Sequence, residues 1–309
     1  MKDMKPFNVI ISAVKLCVIF ALAAAAQVRP RTVTKPEKKL PVASVPPATV
    51  QPASDSPDKN AVAALTRRQK LTAEQMTSFF EHLTLEFQYA NAEKLNDGRG
   101  FTVGRIGFTT GTSDALIVVK KYTEIVPQNP LAKYLPELER LDNAEDKDET
   151  QNLELFEEAW KTAAKDEKFR RIQDELNDHL YFNPSQKIAD ECGLKYALSR
   201  AALYDACVQH GHEGTADSLS SMITKTNTLM NGSPKDGIDE TLWLAKFLTI
   251  RTSVLLDPDD KNSQEDWADS VERVGVFTNL LEKKNFQLKL PLRITCFGES
   301  ATIYDKKVF

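Results

Sequence analysis

Much that would reveal a biochemical role at once is missing from this 309-residue chain. It has no GxSxG nucleophile turn, no GxxxxGK[ST] phosphate loop, no GxGxxG after a candidate strand and no HExxH metal pair. These absences argue against the commonest serine hydrolases, nucleotide-binding folds and zinc peptidases. Only four cysteines are present, and without a CxxC pair they argue against a structural zinc site. Cys17 lies in an N-terminal apolar run. The remaining three, Cys192, Cys207 and Cys296, leave open one disulfide plus a free thiol, or three buried thiols. Cys207, in the apolar stripe of ALYDACV, reads as a core residue.

Two further candidates fail on ligand count. His210-Gly211-His212 lacks accompanying carboxylates or cysteines. Asp257-Pro258-Asp259-Asp260 is followed by Lys261 and Asn262, where a calcium loop needs a ligand and a glycine. No metal and no organic cofactor is expected. A net charge of −4 with pI near 5.7 gives no basic surface for a nucleic-acid partner. No repeat of 20–50 residues is visible.

Long apolar runs are also missing, with one short exception. Leu16 to Ala26 is an uninterrupted stretch of 11 residues, the length of a signal h-region and too short to span a bilayer. Lys2 and Lys5 precede it, and Ala24 and Ala26 offer a cleavage site before Gln27. Residues 1–26 are therefore expected to be a secretory signal peptide, with an uncleaved anchor as the alternative. Residues 27–62 hold seven prolines among Val, Ala, Thr and Ser. That composition cannot bury a core and is expected to be a disordered tether. The mature chain is expected to be secreted or extracellular, with a periplasmic or surface-tethered form as alternatives, monomeric and without stable membrane association. The first 26 residues carry +2 and residues 27–62 carry +3, so residues 63–309 carry −9. From charge alone this acidity reads first as a means of keeping the domain soluble, with long-range attraction of a cationic substrate as the alternative.

From residue 63 the periodicity is mostly helical. Thr72 with Gln75 reads as a capping box before Met76, Phe79, Phe80 and Leu83, which share one face. Glu81 sits near that face in the helix's last turn, where the dipole would raise its pKa. A second helix is expected over Leu85–Leu95, ended by Asn96-Asp97-Gly98. Phe101–Thr109 reads as a strand, and Gly104 and Gly107 within it imply a bend or a close backbone approach. Further helices are expected over Ala115–Val126, Leu131–Leu141, Leu153–Ala164, Lys168–Leu180, Gln186–Cys192, Leu198–Gln209, Asp217–Met230, Ile238–Leu255 and Gln264–Leu281. Short strands are expected within Phe286–Tyr304. The fold class is α+β, mainly α-helical, with a small sheet near residues 97–110 and two lobes around a cleft over 63–309.

Glu81 and Asp97 are the sharpest chemical signal, since glycoside hydrolysis needs one protonated and one ionised carboxyl. Alone, they would read as a surface glutamate and the start of a DG turn. The surrounding motif decides otherwise. NDGRGFTVGRIGFTTGTSD at 96–114 resembles the signature of the family-46 chitosanases, inverting glycoside hydrolases that cleave chitosan. The likeness continues through NPLAKYLPELERL, FEEAWKTAAKD, LYFNP, AALYDACVQHG and TNTLMNGSPKDGIDETLWLAKFL, and so covers about residues 70–309.

That resemblance implies a lysozyme-like fold and chitosan, a cationic polysaccharide, as the bound partner. It makes Glu81 the general acid, Asp97 the general base and Thr102 the residue that helps hold the attacking water. Glu86 is the alternative acid. Arg99, Glu93, Asp114, Tyr181 and His210 match cleft positions and are expected to bind substrate, although YFNP around Tyr181 also reads as a packed corner. Asp205, Arg251 and Arg273 resemble a buried ion network that steadies the acid. An arginine beside Glu81 would lower its pKa against the helix-end effect. A lysozyme-like muramidase and a non-catalytic polysaccharide binder are the competing readings.

Overall fold

A computed structural model describes residues 64–94, 100–111, 113–144, 150–259, 261 and 264–305. The expected signal peptide and tether, Asp97 and Arg99 therefore lie outside the described residues.

Helix α1 spans Arg67–His82. Its cap lies six residues earlier than the sequence pattern suggested. Thr66 is the N-cap and forms the capping box with Gln69, while Thr72 lies inside the helix and its hydroxyl bonds back to the Arg68 carbonyl. TRRQ supplies the same chemistry as TAEQ, and its straight-chain residues propagate the helix toward the N-terminus. The helix ends at Leu83, whose φ of 55° turns its N–H onto the Phe79 carbonyl.

The helix expected over Leu85–Leu95 does not form over its described residues, 85–94. Turns lead instead into strand β1, Ala92–Lys94. Backbone groups that a helix would use internally are taken up by tertiary partners here. The Tyr89 carbonyl accepts from Trp160 Nε1 at 3.0 Å and from Gln173 Nε2 at 3.1 Å, so tertiary contacts override a weak local propensity. The expected strand Phe101–Thr109 is a hairpin, with β2 at Phe101–Val103 and β3 at Phe108–Thr109. The three strands form an antiparallel sheet in the order β1-β2-β3. At Gly104, φ is +75° and an added Cβ would stand 2.5 Å from Gln173 Oε1 and 2.9 Å from the Phe108 ring. The close approach implied by the glycines is real there.

Helices then dominate: α2 Asp114–Ile125, α3 Leu135–Asp142, α4 Phe156–Ala163, α5 Glu167–Asn177, α6 Asn183–Glu191, α7 Ala197–His210, α8 Leu219–Met230, α9 Glu240–Leu256, α10 Gln264–Asp269 and α11 Val271–Glu282. Asn183-Pro184 does not break the chain as a linker. A π-helical turn, Asp178–Phe182, carries α5 directly into α6, and Pro184 follows it in the first turn of α6, where the wider turn accommodates the missing N–H. Strands β4 (Leu292–Cys296) and β5 (Glu299–Ile303) close the described chain as an antiparallel hairpin.

The core has two centres. One is aromatic, built where α2, α4 and α5 meet β2, with Trp160 against Phe169 at 4.9 Å and Phe156 against Phe101 at 5.7 Å. Truncating such a ring costs about 3–5 kcal/mol. The other is α7, of which every residue is buried. A helix enclosed on all sides must bury its polar residues too, and α7 thereby carries Arg200, Asp205, Gln209 and His210 into the interior. It packs against α1, α6, α8 and α11. Cys192, Cys207 and Cys296 are buried free thiols, and burial pushes the Cys207 thiol up to about 12.

Candidate active site

Glu81 is the penultimate residue of α1 and only 1% exposed. Its apolar neighbours on the helix, Phe79 and Phe80, turn this face inward and bring the carboxyl with them. Arg273, from α11, places Nη1 2.7 Å from Glu81 Oε1. Neither carboxyl oxygen makes a hydrogen bond of good geometry, and both are buried, so the contact to Arg273 is an ion pair on Oε1. Arg273 Nη2 lies 2.7 Å from Asp205 Oδ1 on α7, and Arg251 Nη2, from α9, lies 2.8 Å from Asp205 Oδ2. The structure thus brings Glu81, Asp205, Arg251 and Arg273 into one buried cluster.

Opposing forces act on each carboxyl. Burial penalises the Glu81 carboxylate and pushes its pKa up to about 7, against the pull of Arg273. The arginine effect expected from the sequence is secondary to desolvation. For Asp205, burial also disfavours the charge, but Arg273 and Arg251 together hold the carboxyl below its ordinary value. Two arginines on one aspartate keep it ionised, whereas one arginine on Glu81 does not.

Two members of this cluster escaped sequence reading. Thr77 donates from Oγ1 to Asp205 Oδ1 at 3.1 Å, and Gln209 Oε1 accepts from Arg251 Nη2 at 2.6 Å. Both carried a signal. Thr77 lies four residues before Glu81, and Gln209 lies four after Asp205, so helical spacing alone puts each on the active face.

Thr102 lies in the middle of β2, 4% exposed, with no hydrogen-bond partner for Oγ1. Glu93 is on β1, not on a helix, and pairs across the sheet with Thr102, which in turn pairs with Thr109. Paired residues project to the same face, so these three make a polar row. Glu93 Oε1 accepts from Asn91 Nδ2 at 3.1 Å. Asp97 and Arg99 belong to the segment that β1 and β2 bracket in sequence, outside the described residues.

The other predicted positions are more enclosed than an open groove would make them. Asp114, at the start of α2, accepts the Thr109 and Ala115 N–H groups at Oδ1, at 2.9 and 3.0 Å. Tyr181 is buried in the π-helical turn. His210 is buried at the end of α7, beside Arg251 Nε at 3.4 Å and edge-on to Trp267. Burial, Arg251 and Arg273 hold its imidazole well below the ordinary pKa. Glu86, the alternative acid, is exposed in the turn after α1, where its backbone carbonyl accepts from Ser78 Oγ and Gln88 Nε2.

Chemically, the site offers a buried carboxyl poised to hold a proton near neutral pH, and an unpartnered hydroxyl on a neighbouring sheet. Comparison with known proteins places that arrangement in context. The sequence profile of Glycosyl hydrolase family 46 matches residues 75–292. A chitosanase of Bacillus subtilis (strain 168) is 49% identical over 232 residues, 75% of this chain and 83% of the relative. The crystal structure of native chitosanase from Bacillus subtilis MY002 superposes with a TM-score of 0.73 and 47% identity, covering 78% of this chain and 100% of that one. A chitosanase of Gynuella sunshinyii in complex with chitotetraose gives a TM-score of 0.73 at 39% identity, over 79% of this chain and 100% of that one.

Proposed function

The chain belongs to glycosyl hydrolase family 46, with its lysozyme-like fold, and is a chitosanase; on that premise we propose an exported endo-enzyme that hydrolyses β-1,4 links between glucosamine units of chitosan with inversion. Glu81 is the general acid. It gives its proton to the glycosidic oxygen, so that the leaving sugar departs as an alcohol. Asp97 is the general base and removes a proton from a water on the opposite face of the sugar ring. Thr102 holds that water through a hydroxyl able both to donate and to accept. Inversion calls for roughly 6.5–9.5 Å between the two carboxyls, space enough for the water.

The observation that carries this reading is the state of Glu81. Its pKa of about 7 lets it stay protonated in mildly acidic solution, where a free carboxyl would have ionised. Arg273 holds the carboxyl in place through its ion pair with Oε1. Once the proton has left, the same arginine is already in place to stabilise the carboxylate. Glu93 and Asp114 supply the negative charge that glucosamine ammonium groups favour.

The test is reducing-end release from highly deacetylated chitosan by the parent, Glu81→Gln and Asp97→Asn. Loss of several orders of magnitude in both variants, each folded by circular dichroism, supports the assignment. Full activity in Glu81→Gln would transfer the acid role to Glu86. The anomer first released, read by proton NMR, tests inversion, and the N-terminal sequence of secreted protein tests cleavage after Ala26.

A further inference from the structure

Arg105 lies outside the cluster around Glu81 and is still 5% exposed, an unusual place for a guanidinium. It sits in the four-residue turn between β2 and β3, three positions after Thr102. From there it is tied to helix α1 twice. Its Nη2 lies 3.4 Å from Glu74 Oε1, and its backbone carbonyl lies 3.1 Å from His82 Nε2. Glu74 is two helical turns before Glu81, and His82 is the residue directly after it.

A second set of contacts fixes the same turn to α5. The Arg105 N–H donates to Gln173 Oε1 at 3.1 Å, and its Nη1 pairs with Asp174. The guanidinium also lies over the Phe87 ring, 3.9 Å from its centroid. Planar stacking combined with two carboxylate contacts is something an arginine can do and a lysine cannot. Glu74 is held in turn by Asn177 Nδ2 at 3.2 Å, and Asn177 Oδ1 receives the Tyr204 hydroxyl at 2.9 Å. The turn is thus locked to α1 and α5 through one side chain and its own backbone, and the chain Glu74–Asn177–Tyr204 extends the network to α7.

We propose that Arg105 is a positioning residue for the reaction: it sets the sheet that carries Thr102 against the helix that carries Glu81. The inference rests on the roles given above to Glu81 and Thr102. Its physical basis is that an acid and a water-holding residue on separate elements have no covalent means of keeping their separation. An error of about 1 Å in such a pair can cost about 100-fold in rate. Arg105 is bonded to the acid's helix on both sides of the acid, at Glu74 and at His82.

The experiment measures kcat, KM and thermal unfolding on deacetylated chitosan for Arg105→Met, Arg105→Lys, Thr102→Val and each double variant, with Glu81→Gln alongside. At a temperature where all are folded, Arg105→Met should lose between about 10- and 100-fold in kcat with KM within about threefold of the parent. Arg105→Lys should recover part of the loss. The double variants should lose less than the product of the single losses, because both changes act on one element. If Arg105→Met does not fold, Arg105→Lys with its double variant gives the same coupling. A folded Arg105 variant with unchanged kcat, or losses that multiply independently, would overturn the proposal. An active Glu81→Gln would instead overturn the site assignment itself, so the two failures are separable.

Discussion

Glu81 shows how burial and charge divide the control of one proton. Because the acid works protonated, kcat/KM should fall as pH rises above about 7, the value that burial gives this carboxyl. Replacing Arg273 by methionine removes the charge that opposes protonation. The basic limb of the pH–rate profile should therefore move to higher pH, with a cost of about 3–5 kcal/mol in stability because Asp205 loses a buried partner. A pH–rate series and a urea titration would read both effects. Stability carries the complementary sign. Folding raises the Glu81 pKa from 4.5 to about 7, so its contribution is full below pH 4.5 and is lost as pH climbs through about 7. Asp205 is lowered from 3.8, so its contribution holds above that value and disappears as acid protonates it. In Glu81→Gln the first slope should vanish from a plot of unfolding free energy against pH, while the acid-side loss remains.

At the level of elements, the site depends on helix faces and one tight hairpin. α1 presents Thr77 and Glu81 together because they are one turn apart, and α7 presents Asp205 and Gln209 for the same reason. The sheet contributes Thr102 from β2, just ahead of a turn whose shape requires glycine. Gly104→Ala should be strongly destabilising, by about 2–4 kcal/mol. The positive φ and the 2.5 Å approach to Gln173 Oε1 both oppose a methyl group. Chemical denaturation would measure it. A substitution at Gly275, where an added Cβ meets nothing within 4 Å, serves as the control and should change stability by less than about 1 kcal/mol. Where local pattern misled, the cause was also elemental. Leu85–Leu95 has helical spacing, but Tyr89 and its carbonyl are claimed by Asp174, Trp160 and Gln173 on α4 and α5.

Over the whole molecule, the charge of −9 on residues 63–309 faces a substrate that is polycationic below the pKa of its amines. Long-range attraction of this kind is screened within about 10 Å at 0.1 M salt. KM for chitosan should therefore rise as sodium chloride goes from about 0.02 M to about 0.5 M, with kcat little changed. Initial-rate measurements over that range would show it, and a KM independent of salt would mean that short-range contacts carry the binding. Residues 1–62 stand apart in composition from the acidic remainder. A chain without them should keep the parent's kcat and unfolding midpoint.

The sequence by itself determined a great deal. Amphipathic spacing located most of the helices, and the proline and charge content set residues 27–62 apart. The run NDGRGFTVGRIGFTTGTSD identified the family, because glycines, carboxylates and hydroxyls at fixed spacing seldom recur together by chance. Glu81, Asp205, Arg251 and Arg273 were named from motif matches scattered along the chain. That Arg273 touches both Glu81 and Asp205 was beyond it, since those contacts join residues 68 to 192 positions apart and no local periodicity encodes them. Nor did sequence decide the proton affinity of Glu81. Dipole, arginine and burial act with different signs, and their balance depends on how completely α7, α9 and α11 close over the carboxyl. Arg105 is the extreme case. It falls within the expected strand Phe101–Thr109 with no role of its own there, and only the packing of α1, α5 and the sheet makes it a buried tie.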